Sequence, residues 1–186
     1  YISPQYCGAQ KADLAKAPDA ADFAELDGIA LMTLAPELAG AMEYIQNASF
    51  PIALGHTAAD FETAQKAFQS GAGGVTHTFN AMPPLHHREP SVVGAALVEN
   101  AYAQVICDGK HIHPAVILAL YRMFGADRMI LISDSMRATG LPDGLYELGG
   151  QPVIVKDSVA RTESGALAGS TSTLADCVRC AIKFGI

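Results

Sequence analysis

The sequence predicts an α/β fold: a (β/α)8 barrel of the TIM type, present in part, with a β-hairpin insertion. Three observations carry that expectation. Between residues 28 and 134, apolar runs of strand length alternate with helical patterns, the signature of repeated βα units around a parallel sheet. Glu37, His56, His77, Asp108 with His111, and Asp134 each lie just beyond one of those runs. A barrel spreads its working residues over the C-terminal ends of several strands, whereas an open doubly wound sheet gathers them at one switch point behind a glycine-rich loop. Finally, the one glycine-rich stretch, Gly71 to Thr76, leads into an apolar run instead of following one, which is the wrong order for a phosphate cradle.

The elements are as follows along the chain. Gly28 to Ala35 reads as a buried strand, and Pro36-Glu37 opens a helix through Asn47 with Leu38, Met42 and Ile45 on one face. Phe50 to Gly55 is the next strand. Asp60 caps a helix running to Ser70, with Phe61, Ala64, Ala67 and Phe68 inward, and Gly71 ends it. Gly74 to Thr78 is a short strand, succeeded by a loop rich in Pro and His, a helix over 92–99 and a strand over 103–107. Pro114 starts a helix with Val116, Ile117, Leu120 and Met123 at helical spacing, and Met129 to Ser133 is the fifth strand. Residues 145–168, with Gly149-Gly150 and alternating β-branched residues, read as antiparallel hairpins before a last helix over 172–184.

Composition narrows the function. Of 186 residues, 50% are hydrophobic and 17% charged, enough to bury a core. With 12 basic against 19 acidic side chains the net charge is −7, which disfavours nucleic acid and anionic membranes as partners. No run approaches the roughly 18 apolar residues of a membrane span. The chain starts at Tyr1 without Met and stops at Ile186 inside a helical pattern, so it reads as a piece of something longer. Four cysteines, Cys7, Cys107, Cys177 and Cys180, are too sparse for a disulfide scaffold and read as free thiols of a cytoplasmic protein, with a metal or redox pair at Cys177 and Cys180 as the alternative.

His56 and His77 are 21 residues apart, one strand–helix–strand step, so they top adjacent strands. Neutral imidazoles so placed suit a divalent cation such as Zn²⁺ or Fe²⁺, although two ligands leave the site incomplete; either alone reads first as a satisfied histidine at a strand end, and it is the repeated placement that favours the cation for the pair. Asp134 ends an apolar strand, where a carboxylate can shuttle protons beside a cation or simply serve as an N-cap or turn aspartate. In the loop after His77, His86, His87 and Arg88 concentrate positive charge; Arg88 suits phosphate or carboxylate, or else pairs with Glu89 or stays solvated. Gly109 permits a tight turn, after which His111 could donate to substrate oxygens, while His113 faces solvent.

The strings Gly55-His-Thr-Ala58, Thr76-His-Thr-Phe-Asn-Ala-Met82, Arg88-Glu-Pro90, Asp108-Gly-Lys-His111, Ser133-Asp134 and Gly165 to Ser170 resemble, in order and spacing, the N-acetylglucosamine-6-phosphate deacetylase family of the amidohydrolase superfamily. The resemblance covers essentially the whole chain. It implies that His56 and His77 bind the catalytic divalent metal, zinc first, with iron or another divalent ion as the alternative. It also implies that Asp134 is the general base and acid, and that Ala9, Gln10, Asn80, Ala81, Arg88, His111, Leu167, Ala168 and Gly169 hold the sugar phosphate, with Arg88 on the phosphate. Residues 1–186 would be part of one catalytic barrel domain, a flanking small β-sandwich would lie outside them, and the complete protein would be a homodimer. Two departures stand out. Family members carry a His-Leu-Glu-Gly-Pro segment whose Glu is a metal ligand; Tyr1 to Gln10 resembles the stretch directly C-terminal to that segment, so the ligand is absent and residues 1–186 alone should be inactive. Many relatives also have His where this chain has Gln10. The alternatives are another amidohydrolase acting on a cyclic amide or as a deaminase, and a non-catalytic sugar-phosphate-binding fragment.

Overall fold

The computed structural model describes residues 1–19, 21 and 28–186. It divides into two compact units, one formed by residues 1–7 and 12–103, the other by residues 8–11 and 104–186.

The first unit carries a parallel sheet. Strands β1 (Met32–Leu34), β2 (Ile52–Leu54), β3 (Gly74–Val75) and the start of β4 (Tyr102–Ile106) pair in sequence order, each parallel to the last. Helices α1 (Ala41–Asn47), α2 (Phe61–Gln69) and α3 (Ser91–Val98) connect them. Strands covered on both faces must be apolar throughout, and β2 is buried at all three positions. Helix α2 starts as its sequence dictates: the Asp60 carboxylate accepts from the Thr63 N–H at 2.8 Å. It buries Ala64, Ala67 and Phe68, while Phe61 remains half-exposed.

The helix expected from Pro36 begins only at Ala41. Residues 36–40 form successive turns, with Leu38 N–H bonded to Ala35 O and Ala41 N–H to Leu38 O, and Gly40 takes the left-handed φ of +76° before the helix starts. The strands are also shorter than their apolar runs. Pro51 has no N–H to offer the sheet, so β2 starts after it, and β3 stops before Thr76 because His77 turns left-handed at φ +32°.

In the second unit, β4 continues beside β5 (Met129–Ile132), and α4 (Pro114–Phe124) joins them. His113 is exposed as expected but also caps α4, accepting from Ala115 N–H through Nδ1. Val116 of this helix is exposed, and Ile117, Leu120 and Phe124 form its buried stripe. The hairpin insertion is a three-stranded antiparallel sheet, β6 (Gly144–Leu148), β7 (Gln151–Lys156) and β8 (Val159–Thr162). Its two tight turns, Gly149-Gly150 and Asp157-Ser158, have positive φ at both central residues, matching strand twist. Val153, Val155 and Ala160 face inward onto Met136, Ala138, Ala168 and Ala9, while Ile154, Lys156 and Arg161 face water. Helix α5 (Leu174–Phe184) opens with a reciprocal capping box between Thr173 and Asp176.

All four cysteines are free. Burial, reinforced by Cys177 and Cys180 nearby, pushes the Cys107 thiol up to about 12, which makes it a packing group and not a nucleophile. Among the described residues no helix is long and apolar enough to cross a membrane.

Candidate active site

The register of the parallel sheet brings the two strand-end histidines level. Leu54 of β2 pairs with Val75 of β3, and His56 and His77 each lie two residues further on. Their imidazoles meet edge to face, ring centres 4.7 Å apart, with His77 buried. Both residues hold left-handed backbone, φ +47° and +32°, a conformation that costs a non-glycine residue about 1–3 kcal/mol and persists only where the surroundings over-determine it.

Those surroundings can be named. His56 O accepts from Ser3 N–H at 2.7 Å, and His56 Nδ1 meets Tyr6 O at 2.9 Å. A carbonyl can only accept, so Nδ1 carries the proton and Nε2 keeps the lone pair a metal needs. Directly after His56, the Glu37 carboxylate accepts from Thr57 Oγ1 at 2.5 Å and from Ala58 N–H at 2.6 Å. Thr57 N–H donates to Ala81 O, which ties the two histidine loops together, and Asn80 turns its side-chain amide back to His77 O and Thr78 O within its own loop. Thr33 and Thr76 bond to each other at 2.8 Å beside Gly55.

A divalent cation fits this donor set as far as it goes: two imidazoles at the ends of neighbouring strands, one with Nδ1 facing a backbone carbonyl so that Nε2 is left for a metal. The set is incomplete, since among the described residues no group of three or more His, Cys, Asp or Glu gathers as metal ligands. Arg88, on the exposed part of the same loop, bonds His87 Nε2 at 2.7 Å and not Glu89; the His86 ring lies tilted against His87 with ring centres 4.1 Å apart.

The other expected residues lie in the second unit. Asp134, just past β5, is exposed and also left-handed, at φ +49°. It caps no helix, and among the described residues its carboxylate receives no hydrogen bond. Its backbone carbonyl accepts from Ser170 N–H at 2.7 Å, and Ser170 O accepts in turn from Met136 N–H. The loop containing Leu167, Ala168 and Gly169 leads into that clamp. A Cβ on Gly169 would stand 3.0 Å from Asp134 O, and its backbone is left-handed at φ +69°, so the close approach and the turn both favour glycine. Ala9 is buried in the core of the hairpin sheet and its carbonyl accepts from Gln151 Nε2 at 2.7 Å; the neighbouring Gln10 is exposed.

His111 is paired with Asp108, a residue whose place at a strand end gives no hint of its role. The Nδ1 to Oδ2 distance is 2.8 Å and both side chains are almost wholly buried. Burial pulls the Asp108 carboxyl upward, but the hydrogen bonds from His111, side chain and backbone, and from Lys110 N–H outweigh it and hold the group down to about 2. The i, i+3 spacing of acid and histidine across a glycine turn is the one signal in the sequence that could have found the pair. For Glu37 the sequence offers only its position beyond a strand.

No protein-family profile matches the chain. It is 47% identical over 147 residues to the N-acetylglucosamine-6-phosphate deacetylase of Vibrio furnissii, covering 77% of this chain and 37% of that protein. Against the N-acetylglucosamine-6-phosphate deacetylase of Lysinibacillus sphaericus it is 43% identical, covering 96% of this chain and 49% of the other. The chain is a relative of the N-acetylglucosamine-6-phosphate deacetylases. An N-acetylgalactosamine-6-phosphate deacetylase of Escherichia coli O157:H7 is also similar, at 38% identity over 96% of this chain and 50% of its own length. In fold, a variant of the Mycobacterium smegmatis N-acetyl-D-glucosamine-6-phosphate deacetylase, solved in complex with N-acetyl-D-glucosamine-6-phosphate, superposes with a TM-score of 0.95 at 35% identity, over 100% of this chain and 51% of that one. The chain thus spans about half the length of the deacetylases it matches or less.

Proposed function

We propose that this chain is part of a divalent-metal-dependent amidohydrolase that converts N-acetyl-D-glucosamine 6-phosphate and water to D-glucosamine 6-phosphate and acetate. The observation that carries the reading is the edge-to-face meeting of His56 and His77, both left-handed, at the ends of adjacent parallel strands. His56 and His77 would hold the cation. When bound, that ion polarises the acetamide carbonyl and makes water a better nucleophile at neutral pH. Asp134 takes the proton of the attacking water as the new C–O bond forms and returns it to the sugar nitrogen as the C–N bond breaks. Its exposed carboxylate, free of a capping role, suits that task. Arg88 takes the phosphate, and His111, Asn80, Ala81, Ala9, Gln10 and the loop of Leu167, Ala168 and Gly169 hold the sugar.

In this reading both units belong to one catalytic (β/α)8 barrel domain, a small β-sandwich lies elsewhere in the protein, and the enzyme is a cytoplasmic homodimer using zinc. The four free cysteines support the cytoplasmic assignment.

The test is Asp134→Asn in the whole protein, assayed for acetate release from the 6-phosphates of N-acetylglucosamine and N-acetylgalactosamine, with metal content measured in parallel. The variant should keep its metal and lose turnover by several orders of magnitude. Near-normal turnover refutes the role of Asp134, and preference of the parent protein for the galactose epimer replaces the substrate assignment.

A further inference from the structure

We propose that Asp108 is a positioning residue that fixes the His111 imidazole with its proton on Nδ1, leaving Nε2 as the ring nitrogen offered to substrate. The inference rests on the reading of His111 as a substrate-holding group and extends it to a residue not so far assigned a function.

Four donors converge on one carboxylate. Oδ1 accepts from Lys110 N–H at 2.8 Å and His111 N–H at 3.0 Å; Oδ2 faces His111 Nδ1 at 2.8 Å and Ser170 Oγ at 3.5 Å. An ionised carboxylate only accepts, so each group facing it must donate, and Nδ1 is the protonated ring nitrogen. Gly109, left-handed at φ +70°, makes the turn that aims both backbone N–H groups back at the acid. With its side chain 1% exposed, Asp108 is an acid taken out of water, and the imidazole it orients is itself only 6% exposed. Keeping a charge there is unfavourable unless its partners are well placed. The arrangement also ties into the general-base loop: Ser170, whose Oγ faces Asp108, is the residue whose backbone clamps Asp134.

The whole protein, labelled with ¹⁵N-histidine, tests this by long-range proton–nitrogen correlation, with His111→Asn identifying the resonance. The expected result is a protonated Nδ1 on His111; a neutral ring protonated on Nε2 overturns the proposal, and this measurement needs no Asp108 variant. In Asp108→Asn, one amide oxygen cannot serve both the backbone pair and the ring, so the ring should shift toward the Nε2–H form. That variant should lower kcat/KM for N-acetylglucosamine 6-phosphate by about 10–100-fold, mainly through KM. It should add nothing in a His111→Ala background, because Asp108 acts through that ring. Additive losses in the double variant would make Asp108 a merely structural residue and overturn the proposal. If the parent protein does not deacetylate the sugar phosphate at all, the function assigned above fails, while the tautomer result still decides the pairing.

Discussion

Gly55 gives the sharpest test of how the first unit is packed. A Cβ on Gly55 would lie 2.8 Å from Thr76 Cβ, 3.1 Å from Thr33 Cγ2 and 3.4 Å from Thr76 Oγ1. Carbon atoms in contact stand about 3.5–4.0 Å apart, so Gly55→Ala demands a shift of roughly 0.7 Å or more. Neither neighbour yields easily: both threonines are β-branched and stiff about χ1, and their hydroxyls are bonded to each other. Overpacking of this kind costs about 1–3 kcal/mol. With a urea dependence of about 2 kcal/mol per molar, the unfolding midpoint of the whole protein should fall by roughly 0.5–1.5 M. His56 is the next residue, so the same displacement should loosen metal retention. Urea unfolding monitored by circular dichroism reads the first effect, and metal content per chain after dialysis reads the second. A midpoint within about 0.2 M of the parent would show that the threonine pair does not close the space over Gly55.

Three further outcomes are expected. Asp108, held down to about 2 in the folded chain against an ordinary 3.8, stabilises the fold above pH 4 and loses that contribution as pH falls through about 2. The contribution is of order 2 kcal/mol, so Asp108→Asn should flatten the acid limb of a stability–pH curve, and an unchanged limb counts against the pairing with His111. Thr173→Ala removes the capping box of α5 and should cost about 1 kcal/mol in thermal unfolding; a variant as stable as the parent would mean that the cap contributes nothing. Stripping divalent metal from the whole protein should lower its melting temperature, and His56→Ala should abolish that metal-dependent increment. An intact increment in His56→Ala takes His56 out of the ligand set.

The rhythm of the fold was legible because strands covered on both faces spell themselves as unbroken apolar runs, and because Asp60 and Gly71 punctuate α2 by their own local chemistry. Bounds were less legible. A strand lasts only as long as its neighbour pairs with it, and Pro36-Glu37 looks like a helix start although Glu37 is committed to Thr57 and Ala58, 20 and 21 residues away. The site divides along the same line. Even spacing of His56 and His77 along the chain becomes level placement through the sheet register. The contact of Ser170 with Asp108 spans 62 residues, and no local pattern writes such a contact into the sequence. Asp108 with His111 is the intermediate case, three residues apart and readable once a buried acid beside a histidine is taken as a pair.

The left-handed backbone shared by His56, His77 and Asp134 has a consequence for protein engineering. Glycine at any of the three would relieve about 1 kcal/mol of conformational tension or more, so a library sorted for thermal endurance alone should drift toward Gly, Asn or Asp at the two imidazole positions and toward Gly at the third. Such a library would grow sturdier as it lost its chemistry. Selection therefore has to score turnover beside heat resistance, and hold these three codons fixed while the surrounding scaffold is improved.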